Sequence, residues 1–192
     1  MASPCIICLG VIGKNNNPLH ISIFPSYHSS PSDGKSFSVP IKSSFQFSLL
    51  LSSTLDLFEA RSKASSTSSG VVSGDLGLLA AIDERLSAYG FETNTGVKFV
   101  AIVDMCGRKV EGIEDVVRSV RTKTVLSVRE GDLKVVFRAM QVSYTRLLQN
   151  PFYEPDKHTP ATGRGGREIK SKRFTDDMRR IGELWTPGVT TL

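Results

Sequence analysis

Two cysteines near the start of the chain, Cys5 and Cys8, have the C-x-x-C spacing that a zinc site or a redox pair would use. They lie in "CIICLGVIG", an apolar run that reads as a buried strand, on which positions i and i+3 point to opposite faces. No second C-x-x-C follows, and no histidine stands at ligand spacing. The expectation is therefore two structural thiols, with no metal and no cofactor. With Cys106 there are three cysteines, which do not make a disulfide framework. Of the three histidines, His20 falls in an expected strand and His28 and His158 in polar loops. None neighbours a nucleophile or a carboxylate pair, so no catalytic residue is assigned. A transferase or hydrolase would have to assemble its constellation from distant residues, with turnover depending on His20 or His158.

The glycines of "TGRGGREIKSK" imitate a phosphate loop only superficially, because G-x-x-x-x-G-K-[ST] between a strand and a helix is missing. From Lys157 to Arg180 there are eight Lys or Arg and three acids, which accounts for the whole net charge of +5. Nucleic-acid binding would interleave such basic residues with stacking aromatics. Only Phe174 is near, and it belongs to an apolar stripe, so no nucleic-acid partner is expected. The tetrapeptide Asn150-Pro151-Phe152-Tyr153 has the form of an internalisation signal, which acts from a membrane-anchored tail. No unbroken apolar run is longer than Cys5 to Leu9, far short of the about 20 residues a spanning helix needs. "MASP" also lacks the basic residues of a secretory signal. A cytosolic protein is expected, and N-P-F-Y reads as structure: Pro151 stops a helix, and Phe152 and Tyr153 are expected to pack back on the core.

The elements that must position these residues follow from periodicity. "CIICLGVIG", "KNNNP" and "LHISIF" read as strand, turn and strand. Residues 26–43, rich in Ser, Pro and Gly, read as a loop. Phe47, Leu50, Leu51, Thr54, Leu55 and Phe58 form one helical stripe, with Ser52, Asp56, Glu59 and Lys63 on the polar face. The serine-rich stretch 62–74 reads as a mobile loop. "LGLLAAI", "SAYGFET" and "VKFVAIVD" follow as strands, the last two joined through Asn94, Thr95 and Gly96. The last is apolar on both faces, through Val97, Phe99 and Val103 on one and Val100 and Ile102 on the other, which requires helices on both sides of the sheet. Residues 106–131 show no sustained period. Asp132 is expected to cap a helix presenting Leu133, Val136, Phe137, Met140, Tyr144, Leu147 and Leu148. Ser171 is expected to cap a final helix with Phe174, Met178, Ile181 and Trp185 on its inner stripe. The fold class is α+β, an antiparallel sheet between helices.

Four blocks in order carry a family resemblance: "CIICLGVIGKNNNPLHISIF", "SSTLDLFEAR", "LGLLAAIDERLSAYGFETNTGVKFVAIVD", and "SYTRLLQNPFYEPDK" with "IKSKRFTDDMRRI". Together they resemble the trafficking protein particle (TRAPP) complex subunit 2-like proteins of the sedlin family. The resemblance implies a longin-like fold over 1–192: a five-stranded antiparallel sheet with one helix on one face and two on the other. It implies a non-catalytic subunit of the TRAPP assembly, which tethers vesicles and promotes nucleotide exchange on Rab-type GTPases in endoplasmic reticulum–Golgi and Golgi traffic. The partners implied are other TRAPP subunits and, indirectly, a Rab-type GTPase. The place implied is cytoplasmic, peripherally associated with endoplasmic reticulum and Golgi membranes.

Flexible insertions are expected at 26–43, 62–74, 106–131 and 157–170, and "CGRKVEGIEDVVRSVRTKTVLSVREG" and "TPATGRGGRE" lengthen the family's usual connections. Asp56, in the S-x-L-D block on the polar face of the first helix, is the expected partner contact. Arg164, Arg167 and Lys170 are expected to meet an acidic subunit or anionic membrane. The alternative is the longin-type regulatory domain of another trafficking machine, an adaptor small chain or a SNARE-like protein.

Overall fold

A computed structural model describes residues 2–29, 36–67, 74–109, 128, 130–154 and 168–192. Its main sheet has the order β2-β1-β7-β6-β5, antiparallel throughout, from β1 (Ala2–Ile12), β2 (Pro18–Ile23), β5 (Asp75–Ala81), β6 (Leu86–Glu92) and β7 (Lys98–Lys109). Helix α1 (Ser44–Thr67) covers one face, and α2 (Glu130–Leu148) and α3 (Lys172–Leu184) cover the other. A separate hairpin pairs β3 (Ser26–Ser29) with β4 (Ser36–Val39).

Short turns set the registers. Asn16 takes φ 59° in the β1–β2 turn, where Asn tolerates the left-handed region, and the Gly13 N–H donates to the Asn17 carbonyl at 2.8 Å. Gly96 takes φ 80° in the β6–β7 turn, closed by the Thr93 N–H on the Val97 carbonyl at 2.8 Å. β7 divides its side chains as its alternation predicts. Phe99, Ala101 and Val103, with Val97 just ahead of the strand, enter the core beneath α2 and α3, and Val100 and Ile102 the core beneath α1.

β1 departs from strict alternation. Its pairing with β7 shifts between Ile6 and Cys8, and the bulge turns both Ile7 and Cys8 toward α1. Cys5 and Cys8 therefore share a face, against the expectation that they point apart. The carbonyl of Ile7 accepts the Phe24 N–H at 2.8 Å.

α1 opens with a reciprocal cap. The Ser43 N–H donates to Gln46 Oε1 at 2.8 Å, and the Gln46 N–H donates to Ser43 Oγ at 3.3 Å. Phe47, Leu51, Thr54 and Phe58 are buried against the sheet. Each large apolar side chain so buried contributes about 1.5–3 kcal/mol, which outweighs the modest helix propensity of a segment rich in serine. The helix lies close: a Cβ on Gly10 of β1 would stand 2.7 Å from Leu51, and one on Gly90 of β6 2.7 Å from Phe58. Near the other end, Arg61 donates to the edge-strand carbonyls of Leu76 and Leu78 at 2.9 and 2.6 Å.

On the opposite face α2 buries Leu133, Val136, Phe137, Met140, Tyr144 and Leu147, and α3 buries Phe174, Met178 and Ile181. Ser171 caps α3 through the Phe174 N–H, as its sequence predicts. Trp185, fully buried past the end of α3, donates its indole N–H to the Asp132 carbonyl at 3.1 Å and ties α3 to the start of α2.

Several expectations need correction. Residues 26–43 hold β3 and β4 instead of a plain loop, because Ser26 is anchored to β7 through Asp104. The serine-rich stretch 62–74 is helical to Thr67, with 68–73 outside the described residues. β7 extends to Lys109, into 106–131, because β1 keeps pairing with it back to Ala2; 110–127 and 129 lie outside the description. α2 begins at Glu130, so Asp132 sits in its first turn, where a carboxylate suits the helix dipole, and is not its cap. Leu148 is largely exposed at the end of that helix.

The N-P-F-Y segment forms the expected turn but not the expected packing. Asn150 Oδ1 accepts the Phe152 N–H at 3.1 Å and the Asn150 carbonyl accepts the Tyr153 N–H at 3.0 Å. This side-chain-closed turn leaves Phe152 89% exposed, while Tyr153 packs half-buried against the core. Phe152→Ala should thus leave stability within about 0.5 kcal/mol in a thermal melt, whereas Tyr153→Ala should cost about 1–2 kcal/mol.

Candidate functional site

The most perturbed charges lie where β7 meets the β3–β4 hairpin. Asp104 is fully buried, and its carboxylate accepts from Arg85 Nε at 2.6 Å and the Cys106 N–H at 2.9 Å on Oδ1. Oδ2 accepts from Arg85 Nη2 and Ser26 Oγ, each at 2.6 Å. Burial pushes the Asp104 carboxyl up, but the hydrogen bonds from Arg85, Ser26 and the Cys106 N–H, with the charge of Arg85, outweigh it and hold the group below its ordinary range. The hydrogen bond to Asp104 raises Arg85 in turn. A shifted carboxylate draws attention as a possible site. Here each oxygen already accepts two donors, which leaves little capacity for a substrate, so the cluster fastens the fold.

The other candidates for chemistry are absorbed by packing. His20 Nε2 lies 2.7 Å from Ser22 Oγ and its ring stands edge-on to Phe174, with centroids 5.2 Å apart. Burial lowers its pKa, opposed by the charge of Glu168. Cys8 is pushed up to about 12 by burial and stays a thiol. Among the described residues no cluster of His, Cys, Asp or Glu could hold a metal, and no helix is long and apolar enough to cross a membrane.

What α1 leaves in water is more informative. At about 100° per residue, Phe45, Leu49, Ser52 and Asp56 fall on one stripe opposite the buried residues. Phe45 is 71% and Leu49 54% exposed, an i, i+4 apolar pair. Asp56 is exposed two turns beyond Leu49 along the same stripe. An isolated surface leucine is ordinary, but adjacent large apolar residues beside a carboxylate make a surface suited to a partner. Phe45 and Leu49 did not enter the reading of the polar face. The Ser43–Gln46 spacing of a capping box is the signal that extends the helix back to include Phe45, whereas Leu49 lies within the periodic stretch but off its inner stripe.

Asp56 and Lys170 do not form one site. α1 lies on one face of the sheet, and exposed Lys170 precedes α3 on the other, where the Ile169 N–H donates to the Leu19 carbonyl at 2.9 Å. Arg164 and Arg167 lie outside the described residues.

The family model for sedlin matches residues 11–183. The chain belongs to the sedlin family. Its sheet, with one helix on one face and two on the other, is consistent with that family's longin-like fold. It is 24% identical over 176 residues to the trafficking protein particle complex subunit 2-like protein of Dictyostelium discoideum, covering 92% of this chain and 95% of that one. It is 28% identical over 171 residues to the protein of that name from Mus musculus, covering 88% and 90%. With the one from Xenopus tropicalis it shares 28% over 175 residues, covering 90% and 93%.

Two measurements test this sedlin-family site. Asp104→Asn removes the charge that Arg85, 31% exposed, is bonded to, and should cost about 2–3 kcal/mol at neutral pH. Because the folded carboxyl is depressed, its contribution is complete above about pH 4 and is lost as pH falls through the folded value. The gap between native and variant unfolding free energies should close in acid. In the native chain iodoacetamide should modify exposed Cys106 alone, with buried Cys5 and Cys8 reacting only after unfolding, as read by intact mass.

Proposed function

We propose that this chain is a non-catalytic subunit of a TRAPP vesicle-tethering complex and that it contributes to assembly or stability of the complex. The observation that carries the reading is the α1 stripe of Phe45, Leu49 and Asp56, a side-chain surface with no chemistry of its own and two large apolar residues in water. The match to sedlin along most of the chain, and relatives whose names describe TRAPP subunits of nearly the same extent, support the same reading.

In this reading the α1 stripe docks against a neighbouring TRAPP subunit, with Phe45 and Leu49 desolvated and Asp56 at the rim. The link to a Rab-type GTPase is indirect, through exchange by the assembled complex in endoplasmic reticulum–Golgi and Golgi transport. The chain acts in the cytoplasm at the surface of those membranes. The basic segment with Arg164, Arg167 and Lys170 supplies an electrostatic contact to an acidic subunit or an anionic membrane; of these residues Lys170 lies on the other side of the sheet from α1.

Affinity purification of a tagged full-length chain tests this. Asp56→Tyr and Phe45→Asp should each reduce recovery of TRAPP subunits severalfold with an unchanged melting curve, because both positions are exposed. Binding through the basic segment should fall with added salt, screened over roughly 8 Å at physiological ionic strength, and reversal of Arg164, Arg167 and Lys170 should lower recovery, or vesicle binding, at low salt. Undiminished TRAPP recovery with both α1 variants would sink the docking surface.

A further inference from the structure

The sides of α2 and α3 that turn away from the sheet enclose an open groove of about 350 Å³, remote from α1. Val135, Ala139 and Val142 of α2 and Ile181 and Leu184 of α3 form its apolar lining, and Val142 and Leu184 are exposed. Both sets recur at helical spacing, i, i+4, i+7 on α2 and i, i+3 on α3, so the lining follows the helix axes.

The charge is one-sided. Arg138 and Arg146 from α2 and Arg180 from α3 stand on the walls, all exposed. None of the three forms a salt bridge with another described residue. Asp177, the one acidic side chain in the lining, accepts the Ser143 hydroxyl at 3.1 Å. The C-terminal residues border the same space. After a turn at Gly188, with φ 90°, the chain brings Thr190, Thr191 and Leu192 along the groove, and Leu192 packs half-buried against the core.

We propose that this groove binds an acidic amphipathic helix of a partner protein, seated by its apolar residues and held by carboxylates on Arg138, Arg146 and Arg180. The arginine fork matches a carboxylate with two parallel hydrogen bonds, and a helix laid in a groove reads anchors at i, i+3 or i+4, and i+7. From Val135 to Arg146 the lined length is about 16 Å, or three turns of such a helix. A flat lipid surface follows a concave groove less well than a helix does. The proposal is independent of the TRAPP reading and of the α1 stripe.

The test is titration of the full-length, nitrogen-15-labelled chain with a synthetic helical peptide of about 16 residues, leucine at the anchor spacing and glutamate elsewhere. A twin with lysine for glutamate is the control. Amide shifts should be confined to 135–146 and 177–192, and the glutamate peptide should bind roughly tenfold tighter than its twin, about 1.4 kcal/mol. Arg138→Glu with Arg146→Glu should remove that preference without altering the melting curve, and Arg180→Glu alone should weaken it. Equal affinity for the two peptides, shifts elsewhere, or indifference to the reversals would overturn the proposal. So would binding to phosphatidylcholine–phosphatidylserine vesicles, lost on the same reversals, with no binding of the glutamate peptide; that result would assign the groove to a membrane.

Discussion

The fold depends on the pairing of β1 with β7, two central strands that are apolar on both faces. Such a pair cannot face water on either side, and the rest of the architecture answers that constraint. α1 brings Phe47, Leu51 and Phe58 to one face. α2 and α3 bring a larger set to the other, closed by Trp185. The glycines at 10 and 90 let α1 settle onto strands that otherwise carry bulky side chains.

Two-sided burial also sets terms for the polar residues on β7. Lys98, at its start, is buried and donates to Asn16 Oδ1 at 3.0 Å, with Glu92 3.8 Å away. Asp104, further along, is saturated by Arg85, Ser26 and the Cys106 N–H. Each buried charge ties the strand to another part of the chain: Lys98 to the β1–β2 turn, Asp104 to the β5–β6 connection and to the β3–β4 hairpin. A buried ion costs several kcal/mol when left alone, so these ties constrain where the connections can run.

Periodicity exposed the parts of the fold that repeat. The alternation of β7, the inner stripe of α1 and the cap of α3 could each be read from neighbours a few residues apart. What escaped depends on single long-range partners. Nothing near Ser26 announces that its hydroxyl meets Asp104, 78 residues away. The bulge that turns Ile7 and Cys8 to one side has no local marker in "CIICLG", and it reversed the expected geometry of the cysteines. The candidate site was half legible. Asp56 falls on the outer face of α1 from periodicity alone, but of the two apolar residues that give that face its character Phe45 precedes the periodic stretch, and Leu49 lies within it outside the inner stripe. The N-P-F-Y turn was read correctly as a helix stop, yet the turn that exposes Phe152 is closed by the hydrogen bond its N–H donates to the Asn150 side chain, which residue types alone do not dictate.

Arg61 has a consequence for life outside a complex. Edge strands offer a template on which another chain can add, and β5 is such an edge. Arg61 reaches from α1 and occupies the carbonyls of Leu76 and Leu78, while the Ile169 N–H occupies the Leu19 carbonyl on the edge formed by β2. An incoming strand would have to evict a guanidinium on one side and a backbone donor on the other. The same helix that leaves Phe45 and Leu49 in water thus guards the sheet from indiscriminate zippering, so contacts are steered toward partners that recognise side chains.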